Sequence, residues 1–324
     1  MKTKIYNTFT DKLRLLIIII LNFCIIPLFP SNNSPKQPEN IDDCKQHIDE
    51  NLLFYCFPPK TDLRPILIVV EGSYVHQDGP QSIIRLHEHF SKVVNEVDFG
   101  LVLMERRGIS NTSVDKDIYH KFNTPSQRLD DHLKLVNFLL DNPPSWWNGK
   151  IYIAGGSEGG PIAIKLANKI NADGLIVIVG CGDRTFKEYT WRVITSINSS
   201  NSWKDKFIFW WEDLPKNIRE YEDRCEMMKN NPTSDKWWFG QTYLYWSDAL
   251  DQEEKADFLN LTCPILVISG SDDIDVRSTD ILIDLAKSKE IDVTYYCIQK
   301  MNHNALDPKY KILDIIVSFL KKIK

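Results

Sequence analysis

From about residue 63 onward, short aliphatic runs alternate along the chain with segments of helical periodicity. Ile66–Val70 is an uninterrupted aliphatic run, which is typical of a strand buried on both faces of a sheet. In the segments between such runs, residues such as Leu129, Leu133 and Val136 recur at the spacing of one helix face. Strands are predicted at residues 66–70, 98–104, 151–154, 174–179, 264–269 and 291–298. The alternation predicts an α/β fold, with helices on both faces of a mostly parallel central sheet.

The alternation stops between residues 183 and 258, where no run is long enough for a buried strand. This segment holds seven of the nine tryptophans: Trp191, Trp203, Trp210, Trp211, Trp237, Trp238 and Trp246. We therefore predict a Trp-rich helical cap at 183–258, inserted between two parts of the core at 63–182 and 259–324. Residues 32–62 are predicted to form an N-terminal extension that precedes the core.

The first 31 residues have the composition of an export signal. A polar, proline-rich stretch follows the apolar run Leu15–Phe29, which is preceded by the basic residues Lys2, Lys4, Lys12 and Arg14. The run is shorter than the ~20 residues that span a membrane. Its cleavage site is poorly formed, so an uncleaved anchor stays open as the alternative. We expect export, to a periplasm or to the outside of the cell, or attachment to a membrane through residues 1–31.

Net charge and cysteine content narrow the choice of partners. The chain has a net charge of −5 and a pI of about 5.8, which does not favour nucleic acid as a partner. Cys44 and Cys56 lie close together in a predicted surface stretch, where an oxidising compartment would let them pair. No Cys or His spacing typical of metal ligands occurs, so neither a metal nor another cofactor is predicted. The oligomeric state is not indicated by the sequence.

The segment Gly155–Gly160, with the sequence GGSEGG, follows a predicted strand and begins a predicted helix. It contains Gly-x-Ser-x-Gly, the pattern of a sharp strand-to-helix turn that exposes a nucleophilic serine. Ser157 is the predicted nucleophile, and Gly155 and Gly159 flank it because larger side chains would collide there. The Glu158 N–H, at the start of the helix, is a predicted oxyanion donor. The Glu158 side chain could meet a substrate cation or a water molecule, and the sequence does not rank these roles.

A nucleophilic serine needs an adjacent base, and with this turn the chain order is serine, acid, histidine. Of the seven histidines, only His303 follows Ser157, so His303 is the predicted base. The acid is expected in the polar turn after the strand that precedes the last one. Spacing favours Asp273 in that turn, and Asp272 and Asp275 are the alternatives.

The loop after the first strand of the core is predicted to supply a second oxyanion donor. There Gly72 lets the backbone approach closely, and the N–H of Ser73 or Tyr74 would donate. All of these motifs follow strands, and ligands of a parallel sheet bind at the carboxyl ends of its strands. We therefore expect the motifs to converge at one edge.

Taken together, these residues resemble the α/β-hydrolase superfamily, from about residue 63 to the C-terminus without the insertion. Apart from GGSEGG, the spacing Gly270-x-x-Asp273-x-x-Val276 is similar to the acid turn of that superfamily, and His303 with its two asparagine neighbours to its histidine loop. The turn Glu105–Gly108 is similar to its Asp-x-Arg-Gly turn, with Glu in place of Asp. The oxyanion loop departs from the usual His-Gly, since Glu71 precedes the glycine.

The stretch Gly240–Leu250 is similar, more narrowly, to capped serine esterases and prolyl-oligopeptidase-like hydrolases. The resemblance implies a serine hydrolase that acts on an acyl group of a small molecule or short peptide. Cleavage of a carboxylic ester is the favoured function, and peptidase or acyl thioesterase activity is the alternative. A non-catalytic binding module on the same fold is the third possible function. The tryptophans of the cap would line an apolar pocket or form a small core of its own, and a core is favoured.

Overall fold

The computed structural model describes residues 44–73, 81–110 and 113–324. These residues form two compact units. The smaller unit is Thr185–Gln252, which lies within the predicted insertion. The larger unit contains the described residues up to Arg184 and those from Glu253 onward. The export segment predicted at residues 1–31 lies outside the described residues.

The larger unit is built on an eight-stranded sheet. Its strands are β1 Lys45–Asp49, β2 Leu52–Phe57, β3 Arg64–Val70, β4 Gly100–Met104, β5 Trp147–Gly156, β6 Gly174–Ile178, β9 Ile265–Gly270 and β10 Val293–Ile298. Their order in the sheet is β1-β2-β4-β3-β5-β6-β9-β10. The six strands from β4 to β10 in this order are parallel to their neighbours, and only β2 runs antiparallel to β1 and β4. The predicted α/β fold with a mostly parallel sheet is therefore confirmed.

Strand β3 shows why an uninterrupted aliphatic run is needed. Ile66, Ile68 and Val70 pack into the hydrophobic core on one face of the sheet. Leu67 and Val69 point to the opposite face and pack into a second core. Each such side chain stabilises the fold by about 1.5–3 kcal/mol when it is fully buried. A strand with alternating polar residues would place them in one of these two cores.

The helices of the larger unit cover both faces of the sheet, as predicted. They are α1 Gln81–Val97, the short α2 Lys116–Phe122, α3 Pro125–Asp141, α4 Gly159–Ile170, α9 Lys255–Leu259, α10 Val276–Ser288 and α11 Ile312–Ile323. Residues of α3, α4, α9 and α10 belong to the core on the Ile66 face. Residues of α1 and α11 belong to the core on the Leu67 face.

The prediction of a surface stretch is wrong at Cys56, whereas Cys44 is half-buried and precedes β1, which is largely exposed. Strand β2, which contains Cys56, is buried along its whole length because β1 and β4 flank it and both cores contact it. The sheet therefore begins within the predicted N-terminal extension. Cys56 is a free thiol in the structure, without the disulfide to Cys44, and burial raises its pKa to about 12.

The smaller unit has its own hydrophobic core, which includes Tyr221, Trp238 and Trp246. Trp191 and Trp211 pack against this core, whereas Trp203 and Trp210 are exposed on the surface. Its elements are α5 Phe186–Ser199, α6 Trp203–Trp211, α7 Ile218–Asn230, a two-stranded ribbon of β7 Trp237–Trp238 and β8 Gln241–Thr242, and α8 Tyr243–Ala249. Much of the tryptophan content thus serves to give a small helical unit enough apolar area to bury.

Within residues 44–73, 81–110 and 113–324, no helix combines the length and apolar composition needed to cross a bilayer.

Candidate active site

Ser157 lies between the end of β5 and the start of α4, in the turn that the sequence predicts. Its φ of 51° is in the left-handed region, which costs a residue with a side chain on the order of 1–3 kcal/mol. Two hydrogen bonds hold this conformation: the Ser157 N–H donates to the Ile178 carbonyl, and the Gly160 N–H donates to the Ser157 carbonyl, each at 2.9 Å. The surrounding β6 strand and α4 helix therefore maintain the strain at Ser157.

The two glycines that flank Ser157 are required by close backbone contacts. A Cβ atom on Gly155 would collide with the Gly159 carbonyl and with Ala163 of α4. A Cβ atom on Gly159 would collide with the Val70 carbonyl at the end of β3. The predicted reason for these glycines, that a larger side chain would not fit, agrees with these contacts.

Ser157, His303 and Asp273 lie in one hydrogen-bonded line. The Ser157 Oγ is 2.8 Å from His303 Nε2, and His303 Nδ1 is 2.8 Å from Asp273 Oδ2. The Asp273 side chain is 2% exposed and the His303 side chain 23% exposed. When Nδ1–H donates to the buried carboxylate, Nε2 is left as the acceptor for the serine hydroxyl. This arrangement can take a proton from Ser157 and hold the resulting positive charge beside Asp273.

Neighbouring strands bring the acid and the base together. Strands β9 and β10 pair in parallel up to Gly270 and Ile298, so the turns that follow them begin at the same edge. The Asp272 N–H donates to the Met301 carbonyl at 2.9 Å, and this contact ties one turn to the other. His303 follows two residues after Met301, within reach of the acid turn.

The other two carboxylates of the acid turn have different partners. Asp272 is exposed, and one of its oxygens accepts a hydrogen bond from the Ser271 hydroxyl at 2.9 Å. Asp275 is buried in a two-bond ion pair with Arg184. The Asp275 N–H also donates to Asp273 Oδ1 at 2.9 Å, which satisfies the oxygen that does not face His303. Of the three candidates, Asp273 is the one in contact with the imidazole.

The loop after β3 runs against the Ser157 turn. A Cβ atom on Gly72 would lie 3.0 Å from the Gly156 carbonyl oxygen and 3.4 Å from the Ser157 Cβ. Ser73, which follows Gly72, is exposed, and its hydroxyl is hydrogen-bonded to the Glu158 carboxylate. Tyr74, the other predicted donor, lies outside the described residues. Donation by either N–H to an oxyanion stays a prediction.

The Glu158 side chain is paired with an arginine of the same chain. Its Oε1 accepts a hydrogen bond from Arg128 at 2.8 Å, and the side chain is only 7% exposed. Burial by itself would raise the pKa of the Glu158 carboxyl, but Arg128 and Arg106 outweigh it and hold the pKa below the ordinary value. Glu158 is therefore ionised and paired with Arg128.

A second buried ion pair, between Arg106 and Glu71, lies beside the same loop. Arg106 Nε donates to Glu71 Oε2 at 3.1 Å, and Arg106 Nη1 donates to the Asn123 side-chain oxygen at 2.8 Å. Burial raises the pKa of Glu71, against the opposing effect of Arg106. Burial also raises the pKa of Glu105 to about 9, so that group is neutral at pH 7. The sequence patterns do not reveal these arginines, since no periodicity links them to their partners.

In the part of the chain that the structure describes, no three His, Cys, Asp or Glu side chains are grouped as metal ligands. The chemistry available at this site is that of a hydroxyl, an imidazole and a carboxylate, with backbone N–H groups at the start of α4.

No family model matches the chain, and no curated protein matches it in sequence. Solved structures do match it. Est1E from Butyrivibrio proteoclasticus with ferulic acid bound has a TM-score of 0.55 and 16% identity, with 84% of this chain and 95% of that chain covered. Proline iminopeptidase from Mycobacterium smegmatis has a TM-score of 0.54 and 15% identity, with 86% and 97% covered.

A structure from a study of carboxylesterases of the thaumarchaeon Nitrososphaera gargenis has a TM-score of 0.50 and 17% identity, with 84% of this chain and 95% of that chain covered. At such identities the similarity concerns the arrangement of the backbone. It agrees with a mostly parallel sheet that has helices on both faces. The chain therefore has the α/β-hydrolase fold.

Proposed function

We propose that this protein is a serine hydrolase that cleaves a carboxylic ester or a related acyl bond through an acyl-enzyme on Ser157. The observation that carries the proposal is the hydrogen-bonded line from the Ser157 hydroxyl through His303 to the buried Asp273. A serine hydroxyl is a poor nucleophile unless a base accepts its proton, and this line supplies that base.

In the proposed reaction, the Ser157 oxygen attacks the substrate carbonyl while its proton passes to His303 Nε2. Asp273 holds the imidazole in the required tautomer and stabilises the imidazolium without taking the proton. The tetrahedral oxyanion is stabilised by the Glu158 N–H, because this group opens α4 and the helix dipole favours negative charge there. His303 then protonates the leaving group. In the second half of the reaction, water attacks the acyl-enzyme while His303 takes its proton, and His303 then returns a proton to the Ser157 oxygen.

The substrate class is a small molecule or a short peptide with an acyl group. The matched structures support both kinds, since one is from a study of carboxylesterases and another is a proline iminopeptidase. Ester cleavage is the favoured activity, and peptidase and acyl thioesterase activities are the alternatives with the same three residues.

Labelling with a fluorophosphonate tests the proposal directly. We expect one adduct, on the peptide that contains Ser157, and none in Ser157→Ala. On a panel of short acyl esters, aminoacyl amides and acyl thioesters, the same substitution is expected to lower kcat by about 10⁶-fold on the preferred class. Turnover that survives in Ser157→Ala would refute the mechanism. Binding of panel members without labelling or turnover would instead favour a non-catalytic module.

Export through residues 1–31, or attachment to a membrane there, is part of the proposal, and nucleic acid is not a proposed partner. Mass spectrometry of the mature N-terminus after expression in a secreting host tests this point. A chain that begins near residue 32 supports export with cleavage, and an intact chain found in the membrane fraction supports an anchor. An intact chain in the soluble cytosol would contradict both.

A further inference from the structure

We propose that Arg106 and Arg128 are positioning residues that aim the backbone donors of the oxyanion hole at the reacting carbonyl. The inference rests on the proposed function, and it assigns a role to two buried arginines that no sequence motif predicts. Neither arginine is proposed to touch the substrate. Both would act through the loop after β3 and through Glu158.

Both arginines bind carbonyl oxygens of the oxyanion loop. Arg106 donates from Nη2 to the Gly72 carbonyl, and Arg128 donates from Nη2 to the Glu71 carbonyl. In a trans peptide unit, the carbonyl of one residue and the N–H of the next point in opposite directions. A Gly72 carbonyl turned toward Arg106 therefore directs the Ser73 N–H away from it. The Ser73 N–H is one of the two donors predicted for this loop.

Arg128 also connects this loop to the second donor. Its Nη1 is 2.8 Å from Glu158 Oε1, and the same Glu158 carboxylate accepts the hydroxyl of Ser73. The residues that supply the two proposed N–H donors, Ser73 and Glu158, are thus joined through one carboxylate and one guanidinium. Relative movement of the loop and the Ser157 turn would break these bonds. Preorganised donors of this kind need no rearrangement when the oxyanion forms.

A role in stability alone does not account for this cluster. Buried ion pairs contribute little net stability, because removing two charges from water offsets most of their attraction. The cluster also keeps unsatisfied polar atoms, since Glu71 Oε1 and Glu158 Oε2 are buried without a hydrogen-bond partner among the residues that the structure describes. Apolar side chains of similar volume would fill this space without that penalty. What such side chains could not do is bind the Glu71 and Gly72 carbonyls.

The next residue in the chain provides a matched control. The Arg107 side chain is 8% exposed and the Arg106 side chain 5% exposed, so both are buried to a similar degree. In the described part of the chain, the side-chain hydrogen bonds of Arg107 go to Asp131 and Asp49, and none reaches the oxyanion loop. Arg106→Lys and Arg107→Lys each replace a planar fork by a single ammonium, which cannot satisfy several fixed acceptors at once.

The test compares these two variants and Arg128→Lys with the wild type. The measurements are kcat and KM on the preferred ester, the inhibition constant of an arylboronic acid, and the melting temperature. The boronic acid forms a bond from boron to the Ser157 oxygen as the hydroxyl proton passes to His303, and the resulting tetrahedral anion mimics the transition state. Its binding therefore reports on the oxyanion donors, whereas KM reports mainly on the ground state.

Removing one oxyanion donor costs about 10²–10³ in kcat, and a misaligned donor is expected to cost about 10- to 100-fold. We expect Arg106→Lys and Arg128→Lys to lower kcat and boronate affinity by similar factors in this range, with KM changed by less than about 3-fold. Arg107→Lys is expected to lower the melting temperature as much but to keep kcat within about 3-fold of wild type. Equal effects of Arg106→Lys and Arg107→Lys on kcat would overturn the proposal.

Ser73→Ala keeps the inference testable if the arginine variants do not fold. This change removes the hydroxyl bound to Glu158 but keeps the Ser73 N–H and all buried charges. We expect kcat and boronate affinity to fall together by about 3- to 10-fold at an unchanged melting temperature, and no change in either would overturn the proposal. Wild-type protein that is inert to fluorophosphonate and esters would refute the proposed function itself, which separates the two failures.

Discussion

Asp273 is almost completely buried, and one of its two oxygens is already occupied by the Asp275 N–H. Only the other oxygen faces His303, so the carboxylate has a fixed orientation toward the imidazole. Asp272 is adjacent in sequence but exposed, with its side chain held by the neighbouring Ser271 hydroxyl. Two aspartates in consecutive positions thus have different surroundings, which makes them a matched pair for substitution.

We expect Asp273→Asn to lower kcat by about 10⁴-fold with little change in KM, because the amide favours the wrong imidazole tautomer. Steady-state kinetics on the preferred substrate measure this effect, and Asp272→Asn is expected to stay close to wild type. Fluorophosphonate labelling of Asp273→Asn should slow to the same extent. A variant Asp272→Asn that is as impaired as Asp273→Asn would show that the acid is not assigned correctly.

Among the elements of the smaller unit, two consecutive helices begin in different ways. Helix α5 has a capping box: the Thr185 side chain accepts from the Glu188 N–H, and the Glu188 side chain accepts from the Thr185 N–H. Helix α6 follows Ser202, whose side chain makes no capping hydrogen bond. Both residues are small and hydroxylated, so the difference lies in the capping geometry alone.

We expect Thr185→Ala to lower the free energy of unfolding of the smaller unit by about 1 kcal/mol. The Glu188 N–H loses its acceptor, and the Glu188 side chain that accepts from the residue 185 N–H is held less firmly. Ser202→Ala is expected to change it by less than about 0.5 kcal/mol. Urea unfolding followed by tryptophan fluorescence measures both, since this unit carries most of the tryptophans. Equal effects of the two substitutions would contradict the assignment of the cap.

At the scale of the whole chain, the larger unit is interrupted after Arg184 and resumes at Glu253. Within that unit, the parallel pairing of β6 with β9 joins the two segments, and a buried carboxylate adds a further contact. The Gly182 N–H donates to Glu254 Oε1 at 2.9 Å. Burial raises the pKa of the Glu254 carboxyl to about 7 from an ordinary value of 4.5, although Arg184 opposes the shift. One of the contacts between the two segments therefore involves a carboxyl group whose pKa lies near neutral pH.

A raised pKa means that folding favours the protonated form of Glu254. Its contribution to stability is fully present below about pH 4.5 and is lost as the pH rises through about 7. Glu254→Gln keeps an acceptor for the Gly182 N–H but cannot ionise. Relative to wild type, we expect this variant to gain on the order of 3 kcal/mol in unfolding free energy between pH 5 and pH 8.

Urea unfolding at both pH values measures this difference. Glu253→Gln serves as the control, because Glu253 is adjacent but exposed, so its substitution is expected to change the free energy of unfolding by less than about 0.5 kcal/mol at either pH. A Glu254→Gln variant whose advantage is the same at pH 5 and pH 8 would show that Glu254 does not titrate in this range.

Much of the fold could be predicted because the responsible patterns are local. The run Ile66–Val70 indicates a strand buried on two faces, and the structure has that strand in the middle of the sheet. The sequence patterns do not place strand β2 in the sheet, because β4, which pairs with it on the side of the sheet centre, lies more than 40 residues further along the chain. The place of β2 in the sheet thus depends on pairing that a short sequence window does not contain.

Local patterns are enough to predict the strand–helix alternation and the glycines around Ser157, and the chain order of this turn leaves a single histidine as the base. Packing of the folded chain is needed to select the aspartate that faces His303. Packing also brings Arg106 to Glu71 across 35 residues and Arg128 to the Glu71 carbonyl across 57. Helices, strands and turns can be predicted because they depend on neighbours in sequence. Buried charges instead find partners wherever packing excludes water, and no spacing along the chain records that.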